Sequence, residues 1–185
     1  IILFCSIATI AGGFLIPTFQ RILSIAVNRF SIYKSVPNLI FHSFNKTGIT
    51  AIRDNLVIPS TKNISTIVFD RTFPWRVFLM NVVAVAIITV GVLSSLYAGY
   101  INPEFRTTAS SLSSVINGVS TILMFIFIDP FLSIMTDDVV LGKTKESVFR
   151  KYIVYMVLAR LLGTVLAQFI FLPAAGLIAW IAGWM

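Results

Sequence analysis

Three polar side chains stand at one-turn spacing inside the last apolar segment of this 185-residue chain. Arg160, Thr164 and Gln168 are four residues apart, so a helix would place them in one stripe. A guanidinium binds a phosphate through two parallel hydrogen bonds, which predicts an anion site. The alternative is a structural ion pair between Arg160 and Asp129 or Glu104. Because an arginine at this depth is costly beside lipid, we expect it to face the protein interior.

A second polar stripe lies in the third apolar segment, where serine and threonine residues stand near Ser113 and Asn117 in the sequence. So many polar groups in one half-helix favour a water-filled cavity open to the outside. The alternative is that the hydroxyls bond to their own helix backbone and only assist packing. A ridge of small residues beside the Arg160 stripe predicts close approach of another helix: Ala159, Gly163 and Ala167.

Membrane helices are the elements that must position these side chains. Hydrophobic residues make up 57% of the chain and charged residues 11%, against about 25% charged in soluble domains. This composition excludes an ordinary soluble globule, and it also excludes disorder. A membrane-spanning helix needs about 20 apolar residues, and four segments qualify: 1–19, 77–101, 107–130 and 152–172. The sequence therefore predicts an all-α, polytopic membrane protein with one helical membrane domain over 1–185.

The segments between and after the spans carry their own predictions. Apolar residues recur at helical spacing from Phe19 to Tyr33, so residues 20–76 are expected to form amphipathic helices at the membrane interface. The alternative, which is compatible with this one, is that these helices pack against the membrane bundle. Pro130 is expected to end the third span, and Pro173 to break the last segment. A short terminal helix over 174–184 would then lie at the headgroup level, anchored by Trp180 and Trp184.

Basic residues set the predicted orientation. Of the 14 lysines and arginines, eight lie within 20–76 and four within 143–151, while the turn after the second span holds only Arg106. The positive-inside rule places both rich segments in the cytoplasm and the C-terminus outside. The residues next to the spans would form a basic belt for anionic lipids: Arg71, Arg76, Arg150 and Lys151. Topology thus accounts for most of the net charge of +7, which argues against nucleic acid as a partner.

Enzymatic chemistry has little support in the residues. His42 is the single histidine and Cys5 the single cysteine, so neither a zinc site nor a disulfide within the chain is expected. Asp137 and Asp138 suggest Mg²⁺-bound diphosphate, but a second acidic cluster is missing. They fit better as the N-terminal cap of a short helix that ends at Gly142. No catalytic residue, metal or cofactor is predicted.

Several runs resemble the Amj family, the bacterial alternate lipid II flippases that act in place of, or beside, the MurJ flippase. They are GGFLIPTFQR (12–21), SVPNLIFHSF, ASSLSSVINGVSTILMFIFIDP (109–130), TDDVVLGK and ARLLGTVLAQFIFLPAA (159–175). The resemblance covers the whole chain, and since family members are longer, an N-terminal part is expected to be missing.

The resemblance implies transport of a lipid-linked peptidoglycan precursor, an undecaprenyl-diphosphate lipid, from the inner to the outer leaflet of the bacterial cytoplasmic membrane. The resemblance assigns no functional residue to this chain. Charge and position in the sequence suggest these substrate-binding side chains: Arg160, Gln168, Thr164, Asn117, Ser113 and Arg76. One alternative is a non-transporting membrane scaffold or envelope-stress factor, in which the polar stripes would be dry. Another is an intramembrane prenyl-diphosphate transferase, which the missing acidic cluster disfavours.

Overall fold

The computed structural model describes residues 1–33 and 73–184, with side chains over 1–22, 73–145 and 147–184. Every regular element in these ranges is helical: α1 (Ile2–Tyr33), α2 (Trp75–Ile101), a 3-10 turn (Pro103–Phe105), α3 (Arg106–Leu123), a π-helical turn (Met124–Ile128), α4 (Asp129–Val140) and α5 (Glu146–Trp184). Four helical stretches are long and apolar enough to cross a membrane: Ile2–Ile22, Trp75–Ile101, Pro103–Val140 and Ser147–Trp184. The all-α, four-span prediction is confirmed.

The chain forms two compact units, each considered by itself. One consists of residues 1–9 with 66–185 and the other of residues 10–65. Of the second unit, the structure describes the part of α1 that continues to Tyr33. The single-domain assignment stays a prediction, and most of the interfacial segment, with His42 and Arg71, lies outside the described residues.

Helices α2 and α5 run parallel, since contacts between them advance along both helices together. Near their starts, the Phe73 and Tyr152 rings lie 4.9 Å apart, and near their ends the Ser94 hydroxyl donates to the Phe171 carbonyl at 3.1 Å. Helix α3 returns along α2 in the opposite direction, so that the Ser120 hydroxyl donates to the Ala84 carbonyl at 2.6 Å. We call the end where α2 and α5 begin the basic end, and the opposite one the far end.

Small residues allow α2 and α5 to approach closely. Ala159 and Ala167 have no exposed surface, and a Cβ added to Gly163 would lie 2.8 Å from the Val82 carbonyl oxygen and 2.8 Å from Val85 Cβ. Without a hydrophobic force between helices in lipid, such close backbone packing is a main source of association. The predicted small-residue ridge is confirmed.

Different side chains close the bundle at its two ends. At the basic end, rings of the chain before α2 and of α5 form a buried cluster around Phe73, Tyr152 and Tyr155. At the far end, the contacts are aliphatic and involve three helices: Ala98, Ala109, Ile178 and Ala182.

Prolines do not end the helices, contrary to the sequence prediction. Helical structure continues past Pro130 to Val140, because the preceding π turn has the Asp129 N–H bonded to the Met124 carbonyl, five residues back. Pro130 then occupies the first turn of α4, where its missing N–H is tolerated.

The predicted break at Pro173 and the separate terminal helix over 174–184 are also wrong, since α5 is continuous from Glu146 to Trp184. A full break in an apolar medium would leave several carbonyls without donors, which is costly. Within a continuous helix, Pro173 removes only the N–H that would bond the Phe169 carbonyl. The first span and the start of the amphipathic segment are likewise one helix, with Pro17 inside it.

The acidic pair Asp137 and Asp138 lies at the C-terminal end of α4, so the predicted N-terminal cap is wrong. The Lys143 N–H donates to the Asp138 carbonyl at 2.8 Å. Gly142 has a φ of 70°, a left-handed conformation that glycine adopts without steric cost at a helix C-terminus. The Lys143 ammonium lies 4.0 Å from the Asp138 carboxylate. The acidic pair therefore lies in the last turn of α4, and Gly142 ends the helix.

Candidate functional site

Arg160 projects from the side of α5 and is exposed. Its neighbour Ala159 packs fully against the bundle, and successive residues of a helix point 100° apart. Arg160 is nevertheless exposed, and the prediction that it faces the protein interior is wrong. Within the described residues, neither Asp129 nor Glu104 forms an ion pair with it, so that hypothesis is also wrong.

The other two residues of the stripe have different environments. Thr164 is 5% exposed, and its hydroxyl donates to the Leu161 carbonyl one turn earlier at 2.8 Å. Gln168 is exposed, and its amide nitrogen donates to the Ser6 hydroxyl oxygen of α1 at 3.0 Å. The structure therefore presents Arg160 and Gln168 for contact with a ligand, while Thr164 already bonds to its own helix.

An apolar groove opens beside Gln168, with a volume of about 610 Å³. The Tyr97 ring lies 5.5 Å from the Phe171 ring and 6.0 Å from the Tyr100 ring. The groove is lined by Ile1, Ile2 and Leu3 at the chain start, Leu93, Leu96, Tyr97 and Tyr100 of α2, and Gln168 and Phe171 of α5. Sequence reasoning missed it, because its walls come from three distant segments. The only local signal is the Tyr97–Tyr100 pair at the end of a span.

The polar residues of α3 differ in burial. Asn117 Oδ1 is buried and has no hydrogen-bond partner in the described part of the chain. It faces Gly91 of α2, where an added Cβ would lie 2.7 Å from it. Ser113 is half-buried, and its hydroxyl donates to the Ser110 carbonyl at 2.7 Å. The structure does not bring these side chains into contact with Arg160, and the water-filled cavity stays a prediction.

Asn81 is a buried polar residue that the sequence reasoning missed. It is 1% exposed, its amide nitrogen lies 3.4 Å from the Met156 carbonyl oxygen, and its Oδ1 has no partner among the described groups. An amide carries a desolvation cost wherever a donor or acceptor stays unpaired. A single amide within the apolar run 77–101 was the available signal.

The basic end brings together three of the residues assigned to the belt. Arg76 lies in the first turn of α2 and is exposed, and Arg150 and Lys151 lie in the second turn of α5. Because α2 and α5 are parallel, these residues reach the same end of the bundle. The Lys151 ammonium lies 5.9 Å from the centre of the Tyr155 ring. Arg71 is outside the described residues, and the belt's role stays a prediction.

Metal binding finds no support in the ranges that the structure describes, where no three His, Cys, Asp or Glu side chains come together. The site thus consists of an exposed arginine, an amide and an apolar groove on one membrane helix bundle. The family model described as "Amj: Alternate to MurJ" matches residues 1–182. The chain belongs to the Amj family.

This Amj-family chain is 38% identical over 180 residues to a protein of Bacillus subtilis (strain 168) named "Lipid II flippase Amj". The alignment covers 97% of this chain and 66% of that relative, so the chain spans just under two thirds of the relative's length. No solved structure matches the chain. The matched residues include α1 to α4, α5 except its last two residues, and every candidate substrate-binding side chain, and the resemblance noted in the sequence is confirmed.

Proposed function

We propose that this Amj-family chain acts as a lipid II flippase, a transporter and not an enzyme. Its substrate would be the undecaprenyl-diphosphate-linked peptidoglycan precursor, moved from the inner to the outer leaflet of the bacterial cytoplasmic membrane. The family membership, the name of the Bacillus subtilis relative and the four helices that are long and apolar enough to span a membrane support this proposal.

The position of Arg160 within an apolar membrane-spanning helix is the main support for the proposal. A guanidinium at the centre of a membrane helix costs about 2.5–3.5 kcal/mol on insertion scales. The side chain is exposed and has no ion-pair partner among the residues that the structure describes. A diphosphate would offset this cost, because it accepts two charge-assisted hydrogen bonds from one guanidinium. We therefore assign Arg160 as the group that holds the diphosphate.

The proposed orientation follows from the charges at the basic end. Arg76, Arg150 and Lys151 would lie in the cytoplasmic headgroup layer, where basic residues attract anionic lipids. The C-terminus, at the far end, would then be outside. Lipid II would enter from the inner leaflet at the basic end, and the diphosphate would move to Arg160, about 12 Å along α5 from Tyr152.

Transfer requires alternating exposure of a polar path to the two sides of the membrane. Arg160 and Gln168 would contact the substrate from α5, with Ser113 and Asn117 contributing from α3 once α2 and α3 separate. The unpartnered Asn117 oxygen supports this role, since a buried acceptor gains a hydrogen bond when a headgroup donor reaches it. Thr164 would contribute to packing, because its hydroxyl is already bonded.

Reconstitution in liposomes tests the proposed activity. Fluorescent lipid II is incorporated in both leaflets, and a membrane-impermeant quencher reports the fraction that reaches the outer leaflet with time. We expect complete quenching with the protein and about half in protein-free liposomes. Parallel samples with and without an ion gradient test for energy coupling. Equal quenching with and without protein under both conditions would contradict the flippase assignment.

A membrane scaffold is the second candidate, and the hydroxyls of α3 favour it. Those of Ser113 and Thr121 donate to carbonyls of their own helix, as expected for a dry packing surface. Labelling single cysteines at positions 113 and 117, in a Cys5→Ser background, with a water-soluble maleimide separates the two functions. Labelling indicates a hydrated path, and protection of both positions supports the scaffold.

A further inference from the structure

We propose that the apolar groove beside Gln168 binds the isoprenoid chain of the lipid whose diphosphate lies at Arg160. This inference rests on the proposed function and extends it to the part of the substrate that remains in the membrane. The groove and Arg160 belong to the same compact unit. Their arrangement on α5 identifies the ligand as a long-chain amphiphile with an anionic end.

Charge complementarity along one face of α5 is the first argument. Arg160, Gln168 and Phe171 follow one another at intervals of two turns and one turn, so they share a helix face. Phe171 lies about 16 Å beyond Arg160. A ligand that satisfies both ends of this face needs an anion at one end and an apolar chain at the other. A free phosphate lacks the chain, and a soluble peptide has no reason to enter a groove of leucine, tyrosine and phenylalanine side chains.

The depth of the groove is the second argument, and it discriminates between lipids. Arg160 lies about 12 Å from Tyr152 along α5, and Phe171 about 28 Å from it. The hydrocarbon core is about 30 Å thick, so each leaflet contributes about 15 Å. With Tyr152 at the inner edge of the core, as the proposed orientation implies, the acyl chain of an inner-leaflet phospholipid ends before the groove begins. A longer isoprenoid chain from the same leaflet crosses the midplane and reaches Leu96 and Phe171. Acyl chains of the outer leaflet do reach the groove, and in the test below the nanodisc lipid competes with the probe in this way.

The order of Arg160 and the groove along α5 agrees with entry of the lipid from the inner leaflet. Arg160 lies nearer the basic end than the groove does, so the diphosphate would point toward the cytoplasmic side and the chain away from it. Gln168 lines the groove at the edge nearer Arg160, and it donates a hydrogen bond to Ser6 of α1. The start of α1 thereby forms one wall of the chain site.

Photo-crosslinking of the full chain in nanodiscs tests this site. A benzophenone amino acid replaces Leu96, which lines the groove and is 55% exposed, or Leu177, which is outside it and 58% exposed. The probe is radiolabelled undecaprenyl diphosphate in phosphatidylglycerol nanodiscs, with unlabelled geranylgeranyl diphosphate as competitor. We expect position 96 to capture the probe about tenfold more than position 177, a factor that burial of about two methylene groups produces. The competitor should abolish the difference.

Equal capture at the two positions, or capture at position 96 that unlabelled geranylgeranyl diphosphate does not reduce, would overturn the chain site. A transport measurement adds an independent result. Leu96→Trp should slow the transfer of lipid II with its full chain about tenfold, and a farnesyl-chain analogue little, whereas Leu177→Trp should slow neither. Equal slowing of both substrates by Leu96→Trp would also contradict the proposal. If the wild-type chain transfers no lipid II but position 96 still captures the probe selectively, the flippase assignment fails and the isoprenoid site stands.

Discussion

Two neighbouring faces of α5 differ in burial, packing and polarity. One carries Ala159, Gly163 and Ala167, is buried, and packs against α2 with backbone atoms close together. The other carries Arg160 and Gln168, both exposed, and leads to the apolar groove. The first face has no room for another atom, whereas the second has polar groups and space available. The comparison teaches that closely packed and exposed side chains can be neighbours on one membrane helix, and each of the following changes tests one of these two sets.

Gly163→Leu should have the largest effect. Even a Cβ would lie 2.8 Å from the Val82 carbonyl oxygen, which is backbone and cannot move aside. Overpacking costs about 1–3 kcal/mol or more, so we expect loss of the folded monomer in detergent. Gly118→Leu on α3 is the matched control, since nothing lies within 4 Å of its Cβ position. Size-exclusion profiles after stepwise heating measure both, and a Gly163→Leu melting curve like the wild type would show that the α2–α5 contact is loose.

Arg160→Ala should have the largest effect on transport with an unchanged fold. Loss of charge-assisted hydrogen bonds of about 1.5–3 kcal/mol corresponds to a fall of roughly ten- to a hundredfold. Arg160→Lys should retain part of the activity, because an ammonium keeps the charge but not the paired donors.

The lipid II assay in liposomes measures transfer, and heating in detergent measures stability. Arg106→Ala removes an exposed arginine near the far end and serves as the control with wild-type transfer. Wild-type transfer by Arg160→Ala would remove this residue from the site.

Gly91→Ala should have an intermediate effect that depends on Asn117. The new methyl group would lie 2.7 Å from Asn117 Oδ1, the end of a side chain that can rotate away. We expect destabilisation of about 1 kcal/mol in mixed-micelle unfolding. Part of this loss should disappear when Asn117→Ser is added, and the rest comes from Ile116 Cγ2, which would lie 3.0 Å from the new methyl group. Additive effects of the two substitutions would mean that Asn117 does not occupy the space next to Gly91.

Gln168→Leu should have the smallest effect on stability. It removes the hydrogen bond to Ser6, and such bonds between membrane helices contribute about 0.6 kcal/mol on average. Ser6→Ala should cost the same, and the double variant no more than either single one. Unfolding in mixed micelles measures all three, and a larger loss in the double variant would indicate that each residue has another partner.

Much of the fold was predictable because its causes are local. Apolar composition and length identify four spans, and small residues at four-residue spacing identify the face that packs, since both depend only on helix geometry. The prolines were misjudged because their effect depends on the medium. At Pro130 a π turn keeps the backbone bonded, and at Pro173 the helix continues where a full break would expose several carbonyls to lipid.

The candidate site was predictable only in part. Arg160 and Gln168 were identified from spacing, because a polar stripe in an apolar segment is visible in the sequence. Asn81 was missed, although it is the most deeply buried amide that the structure describes. The groove was missed because the residues that line it come from the chain start, α2 and α5.

The sequence by itself determined that this chain is a bundle of membrane helices with its basic residues gathered on two connecting segments. Hydrophobicity, helical periodicity and charge are properties of short stretches, and they need no neighbours. The tertiary structure decided which way each polar side chain points. In the assembled bundle Gly163 packs against α2, Arg160 is exposed, Thr164 is bonded to its own helix, and Gln168 lies at the edge of the groove.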